Sequence, residues 1–320
     1  MSRFYVFNGD ADGLCALQQL RLSAAGDATL VTGVKRDIRL LERVAAQKDD
    51  EVIALDISLE QNCDGLLRLL DSGALVRYFD HHHPGLLPEH PRFEAHIDES
   101  PEECTGTLVD RYLGGRHRLW AIAAAFGDGL RDLGATMADA AGLNERNTAT
   151  LEQLGVCLNY NSYGECLDEL FLHPAVLADR MFPYSNPLEF ARNSGEYAQL
   201  CERFDADMNR ARQIKPAREL PGAMLFVLPN ESWARRTNGI LAHQLSHSHP
   251  DCAVAILLPR RAGGYIASVR VPINRNISAA DFCRTFDTGG GRKLAAGVNH
   301  LPDAAADRFA KRFEAWFRAR

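Results

Sequence analysis

The eight cysteines of this chain, at 15, 63, 104, 157, 166, 201, 252 and 283, include no C-x-x-C pair. That absence excludes a zinc ribbon and a thioredoxin-like redox motif. Most lie among apolar residues and read as small core hydrophobes of a reducing compartment. The sequence has no charged leader ahead of an apolar core and no apolar run of membrane-spanning length. The expectation is a cytoplasmic protein that does not enter a membrane. Internal repeats and low-complexity tracts are missing too. Positive charge is in the minority, with 36 Lys and Arg against 42 Asp and Glu, a net charge of −6. Broad adhesion to nucleic-acid phosphates is not expected, although a local basic groove, or metals carrying the positive charge, would still serve a small anion. What remains is ordinary globular material, 46% hydrophobic and 24% charged over 320 residues, a length that predicts two domains.

The first half alternates strand and helix. Phe4 to Phe7 is an apolar, aromatic and β-branched run that ends in Asn8-Gly9-Asp10-Ala11-Asp12-Gly13. Leu14 to Ala24 then carries apolar residues at helical spacing, with Gly26 as a stop. Further strands are predicted at Thr29 to Val34, Glu51 to Ser58 and Ala74 to Phe79, with helices at Ile38 to Ala46 and Cys63 to Leu70. This pattern predicts an α/β fold with a mostly parallel sheet and helices on both faces. Helices follow at Thr105 to Leu113 and Leu119 to Phe126, the second ending in Gly127-Asp128-Gly129. A helical connector reaches to about Leu220, with a polar loop over Asn159 to Gly164. Pro216 to Pro221 is a candidate boundary between domains at 1–215 and 222–320. Beyond it, strands at 223–228, 252–258 and 265–271 and helices at 239–246, 279–286 and 306–318 predict a smaller α/β domain.

Three of the four predicted strands of the first half end in acids or Asp-His clusters: Asp10 and Asp12, Asp56, and Asp80-His81-His82-His83. Ligands of open α/β sheets gather at the carboxyl ends of strands. Paired acids there call for a cation, and oxygen donors with one or two imidazoles suit Mn²⁺ or Mg²⁺ better than zinc. The bland alternatives are a turn at Asp12-Gly13 with Asp12 capping a helix, a capping role for Asp56, and a solvated loop at His83. In the second half, Gly289-Gly290-Gly291-Arg292-Lys293 is either a bare turn or a loop whose N–H groups and cations hold an anion. Arg235 and Arg236 read as a solvated loop that could also touch a ligand.

On these motifs the chain resembles, nearly end to end, a DHH-superfamily phosphoesterase with a C-terminal DHHA1 domain. Residues 8–13 correspond to D-x-D-A-D-G of RecJ-type nucleases, Leu55-Asp56 to the second motif, Asp80-His81-His82 to the name-giving signature and Phe126-Gly127-Asp128 to the fourth. Gly289 to Gly297 resembles G-G-G-H-x-x-A-A-G of the DHHA1 domain, and Ser268-Val269-Arg270 its phosphate-contacting strand. The resemblance implies two Mn²⁺ ions, with Mg²⁺ as an alternative: one on Asp10 and Asp56, the other on Asp12, Asp56, His81 and Asp128. It implies a catalytic set of Asp56, Asp80 and His82, the last facing substrate phosphate or supporting the ligands. Arg270, Gly289, Gly290, Gly291 and Arg292 would bind substrate.

The sequence departs from that pattern at several positions. Asn8 replaces an acid, Val6 stands where a histidine would precede Asp10 by four residues, Arg292 replaces the loop histidine, and His83 leaves the ligand assignment in the triplet open by one position. The expected activity is hydrolysis of a small nucleotide, such as a short oligoribonucleotide, a dinucleotide or a 3′,5′-bisphosphate nucleotide. The alternatives are a RecJ-like 5′ to 3′ single-strand exonuclease and a non-catalytic nucleotide-binding regulator. The helical middle would pack a partner subunit in a homodimer or only connect the domains.

Overall fold

The computed structural model describes residues 1–24 and 26–318 and divides into two compact units, Met1–Arg203 and Phe204–Arg320. The first unit carries the strands β1 (Arg3–Asn8), β2 (Thr29–Gly33), β3 (Glu51–Leu55), β4 (Leu75–Asp80) and β5 (Phe93–Ile97). Its helices are α1 (Ala11–Ser23), α2 (Leu59–Asp71), α3 (Thr105–Tyr112), α4 (Arg118–Gly127), α5 (Arg131–Ala140), α6 (Glu145–Asn161), α7 (Pro174–Met181) and α8 (Pro187–Asn193), followed by α9 (Gly195–Arg212), which runs past the border of the unit. The sheet order is β2-β1-β3-β4-β5, and every neighbouring pair is parallel. Its central strands are buried on both faces, which is why residues 5–7 and 52–55 read as unbroken apolar runs. The chain runs from β1 outward to β2 and returns past it to β3. The order therefore reverses between β1 and β3, and Asp10 and Asp56 follow those two strands.

One face of the sheet packs Val52, Ala54 and Tyr78 against Leu59, Leu66 and Leu69 of α2. On the other, α1 is buried from Ala11 to Leu20 and packs on α3 and α4, and α4 packs on α6. The crossing of α4 and α6 is close: a Cβ on Gly127 would lie 2.2 Å from the Ala11 Cβ and 2.9 Å from the Gly155 carbonyl oxygen. Glycine is needed there for approach, and the approach sets where Asp128, the next residue, stands.

The second unit has β6 (Arg218–Leu220), β7 (Ala223–Val227), β8 (Ala253–Pro259), β9 (Tyr265–Arg270), β10 (Gly289–Gly291) and β11 (Ala295–Leu301), with α10 (Ser232–Ser248), α11 (Ala279–Cys283) and α12 (Ala306–Phe317). The sheet runs β10-β11-β9-β8-β7-β6, antiparallel except between β7 and β8. One face is closed by Phe282, Phe309, Phe313 and Phe317, and the other by Trp233, Leu241 and Ala211.

Several expectations need correction. The predicted helix at 38–46 is only a 3₁₀ turn at Leu40–Arg43, because α2 ties down its backbone. Asn62 accepts from the Leu41 N–H and donates to the Ile38 carbonyl, and Arg68 donates to the carbonyls of Leu41 and Val44. A fifth strand, β5, adds to the four expected; it is a partly exposed edge strand with a weak apolar signal. The expected loop at 159–164 begins inside α6. The expected helix at 239–246 begins at Ser232, so Arg235 and Arg236 are buried on α10 and not in a solvated loop.

Candidate metal centre

Asp10 caps α1: its Oδ1 accepts the Gly13 N–H at 3.1 Å, so the helix starts at Ala11, and Asp10, not Asp12, is the cap. A side chain at residue 13 would bring its Cβ 2.2 Å from the Asn8 carbonyl oxygen, which is why glycine closes this turn. Asp12, in the first turn, accepts the N–H groups of Thr105 at 2.8 Å and Gly106 at 2.7 Å from the start of α3. Asp56 sits just past β3 at a φ of 57°, a left-handed conformation rare for a residue with a side chain. Its own N–H donates to the Phe79 carbonyl at 3.0 Å, and Thr105 Oγ1 lies 3.4 Å from its Oδ1. Such strain collects at functional sites, and here it aims the carboxylate across the strand ends.

His81 joins these acids in a defined tautomer. Its Nδ1 lies 3.1 Å from the Glu103 carbonyl oxygen, which only a protonated nitrogen can bond. In the neutral ring Nε2 is then bare, and it lies 3.5 Å from Asp56 Oδ1, 3.9 Å from Asp12 Oδ2 and 3.9 Å from Asp128 Oδ2. Donors bound to one ion at about 2.1 Å lie roughly 3–4 Å apart, so this set fits a hard divalent cation. Asp56, His81 and His82 also offer ligand atoms within 4.8 Å of one another. His82 Nδ1 pairs with Asp80 Oδ1 at 2.7 Å. Asp80 is wholly buried, takes the His81 N–H as well, and so orients the two histidines. His83 is exposed and pairs with Glu99, which leaves His81 and His82 as the inward members of the triplet.

Burial, with Asp10, Asp12 and Asp128 nearby, pushes the Asp56 carboxyl well above its usual range. Burial and Asp12 raise Asp128 to about 6. His82 is raised by its bond to Asp80. Crowded acids that hold protons when metal-free are the expected signature of a cation site. Asp10 is the exception: burial opposes its ionisation, but the Lys35 ammonium bonded to its Oδ2 holds it below the usual range. Lys35 was not among the residues the motifs pointed to. It follows β2 without any motif of its own, and only the fold brings it to Asp10. A cavity of about 220 Å³ opens onto Asp10, Lys35, Asp56, His81, His82 and Asp128, among others. A wider depression of about 610 Å³ lies at the opposite, amino ends of β1 and β2 and holds no comparable group of ligands among the described residues.

In the second unit the register sets Arg270 of β9 opposite Ala295, beside the turn that carries Arg292. The triple glycine is strand β10, paired with β11, where the sequence suggested a turn or an irregular loop. Its Gly289 N–H donates to the Phe286 carbonyl, closing the turn that leads from α11 into β10, and the Arg292 N–H donates to the Ala295 carbonyl within the hairpin. Arg292 is exposed, and the Arg270 guanidinium donates to the Val269 carbonyl at 3.1 Å. Arg236 is paired with buried Asp207 at 2.7 Å, and Arg235 donates to Asn230.

Solved structures place this architecture. A RecJ exonuclease bound to manganese matches at a TM-score of 0.61 and 20% identity, over 98% of this chain and 89% of that one. RecJ from Thermus thermophilus in complex with Mn²⁺ matches at 0.64 and 20%, over 98% of this chain, which spans about half (52%) of the Thermus chain. The pGpG-specific phosphodiesterase PggH from Vibrio cholerae matches at 0.57 and 16%, over 97% of both chains. No family model matches the sequence, nor does any curated protein. The chain shares the fold of these RecJ and PggH structures.

Proposed function

We propose that this chain is a divalent-metal-dependent phosphoesterase acting on small nucleotides: short oligoribonucleotides, dinucleotides or 3′,5′-bisphosphate nucleotides. The observation that carries this reading is His81 Nε2, the ring nitrogen turned away from Glu103, lying 3.5 Å from Asp56 and 3.9 Å from each of Asp12 and Asp128. Mn²⁺ or Mg²⁺ on those residues would supply a water of lowered pKa and positive charge for the phosphoryl oxygens. Asp12 and Asp56 are held in place by the start of α3 and by the turn after β3, so little reorganisation is needed on binding. His82, kept protonated by Asp80 to higher pH than a free histidine, is suited to hydrogen-bond a phosphate oxygen or leaving group. Arg270, Arg292 and the glycines 289–291 are assigned to substrate phosphate, the arginines through their side chains and the glycines by leaving room for it, since the Gly289 and Arg292 N–H groups are already bonded within the fold. Arg270→Ala and Arg292→Ala should then raise KM more than they lower kcat.

Two features favour a small substrate over a long strand. The net charge is −6, and the match to PggH, named for the linear dinucleotide pGpG, covers 97% of both chains. The RecJ-like exonuclease reading is favoured in turn by the higher TM-scores of the RecJ matches. The test compares Mn²⁺-dependent hydrolysis of a 5′-labelled RNA dinucleotide, pAp and a long single strand by wild type and Asp56→Ala. Turnover confined to the short substrates and lost in the variant is expected. Activity on the long strand alone, falling steeply with salt, would transfer the protein to the exonuclease reading. Tight nucleotide binding without turnover, indifferent to Asp56→Ala, would make it a regulator.

A further inference from the structure

The ion position at His81 fits a metal; the neighbouring position at Asp10 does not fit in the same way. Val6, where a ligating histidine would stand, is buried in the apolar core of the sheet. Asn8 brings an amide oxygen, buried and without a donor, in place of a carboxylate. Of the two Asp10 oxygens, Oδ1 caps α1 and Oδ2 is bonded to the Lys35 ammonium. Beyond the shared Asp56, this position therefore offers one neutral oxygen and a carboxylate that already has its cation.

The ammonium is held by a built environment. The Lys35 N–H donates to the Ser162 carbonyl at 2.9 Å, which fixes its backbone to the end of α6. From the same segment, Asn159 Oδ1 lies 3.4 Å from Nζ and the Tyr163 ring centroid 5.7 Å from it. Asp128 Oδ1 is 4.0 Å from Nζ. The polar, aromatic run Asn159 to Tyr163, which has no role in the metal set, thus has one here: it seats a lysine between two carboxylates.

We propose that Lys35 takes the place of one of two cations: the centre binds a single divalent ion, on His81, Asp12, Asp56 and Asp128, and the Lys35 ammonium neutralises Asp10. The proposal rests on the metal-dependent reading above but makes a separate claim about stoichiometry. A fixed ammonium beside a dication would repel a second ion while still attracting an anionic phosphate.

The test is metal content by equilibrium dialysis against Mn²⁺, with electron paramagnetic resonance to separate an isolated ion from an exchange-coupled pair. Wild type should hold one ion per chain with an isolated-ion spectrum. Asp10→Asn, nearly isosteric, should keep that ion but hold it more weakly, because the Lys35 ammonium is then unopposed. Asp56→Asn should weaken it by at least the roughly 10–100-fold that loss of a supporting group costs. Lys35→Met should admit a second, spin-coupled ion at high Mn²⁺. Two coupled ions in wild type, or loss of the ion in Asp10→Asn, would overturn the proposal while leaving the phosphoesterase reading intact. A Lys35→Met protein that still holds one ion would overturn the role given to Lys35. No ion in wild type, together with no hydrolysis, would overturn both readings.

Discussion

Asp128 shows how a single residue reports on the centre. Its folded pKa is about 6 against an ordinary 3.8, raised by burial and by Asp12. An acid whose folded pKa is raised binds its proton more tightly in the fold than in the unfolded chain, so it lowers stability as pH rises through that interval. Asp128→Asn removes this penalty. In chelator, urea unfolding should therefore show the variant gaining stability relative to wild type between about pH 4 and pH 7, then levelling off. A difference that stays flat with pH would refute the cation-site electrostatics. The acids themselves were legible as residues, because each stands at the end of an apolar run. Lys35 was not, since nothing in Gly33-Val34-Lys35-Arg36 distinguishes it from a solvated lysine. Arg236 misled for a related reason: a pair of arginines reads as exposed, yet Asp207, 29 residues earlier, neutralises one of them in the interior. Arg236→Met should destabilise the chain in chemical denaturation by stripping buried Asp207 of this ion pair, and combining it with Asp207→Leu should recover most of the loss.

At the scale of elements, the centre depends on how closely helices approach. Gly127→Ala would force apart α1, α4 and α6, since its Cβ would meet Ala11, and the Gly155 carbonyl sits close by. A loss of about 1–3 kcal/mol in urea unfolding is expected, as for other overpacked cores, together with weaker Mn²⁺ binding because Asp128 is the next residue. Unchanged metal affinity would mean that Asp128 is positioned otherwise. In the second unit Phe282 stands edge-on to Phe286, Phe309, Phe313 and Phe317. Phe282→Ala should cost about 3–5 kcal/mol by the same measurement. Helix periodicity located most of these elements. It failed at 38–46, where side chains of α2 capture the backbone, and at β10, where three glycines carry no strand propensity and are ordered by pairing with β11.

The whole molecule divides at 203/204 by compactness, whereas proline punctuation suggested 216–221. The difference has consequences for the second unit alone. Asp207 partners Arg236, Ala211 lies in the core with Met224 and Trp233, and β6 pairs with β7. A fragment spanning 204–320 should therefore unfold cooperatively and at higher urea than one spanning 222–320. Equal midpoints would show that these contacts contribute nothing.

By itself the sequence determined which side chains end the strands, that they are mostly oxygen donors with two imidazoles, and that the sheet is parallel, because these follow from local alternation and residue chemistry. Which acids face one another, which nitrogen of His81 faces them, and that Lys35 pairs with Asp10 were decided only by tertiary structure. Each depends on contacts between residues far apart in the chain: Glu103 with His81, Thr105 with Asp12, and Lys35 with Asp10. No spacing within a segment encodes such distances. They are set by the order in which the strands pair and by how closely the glycines let the helices pack.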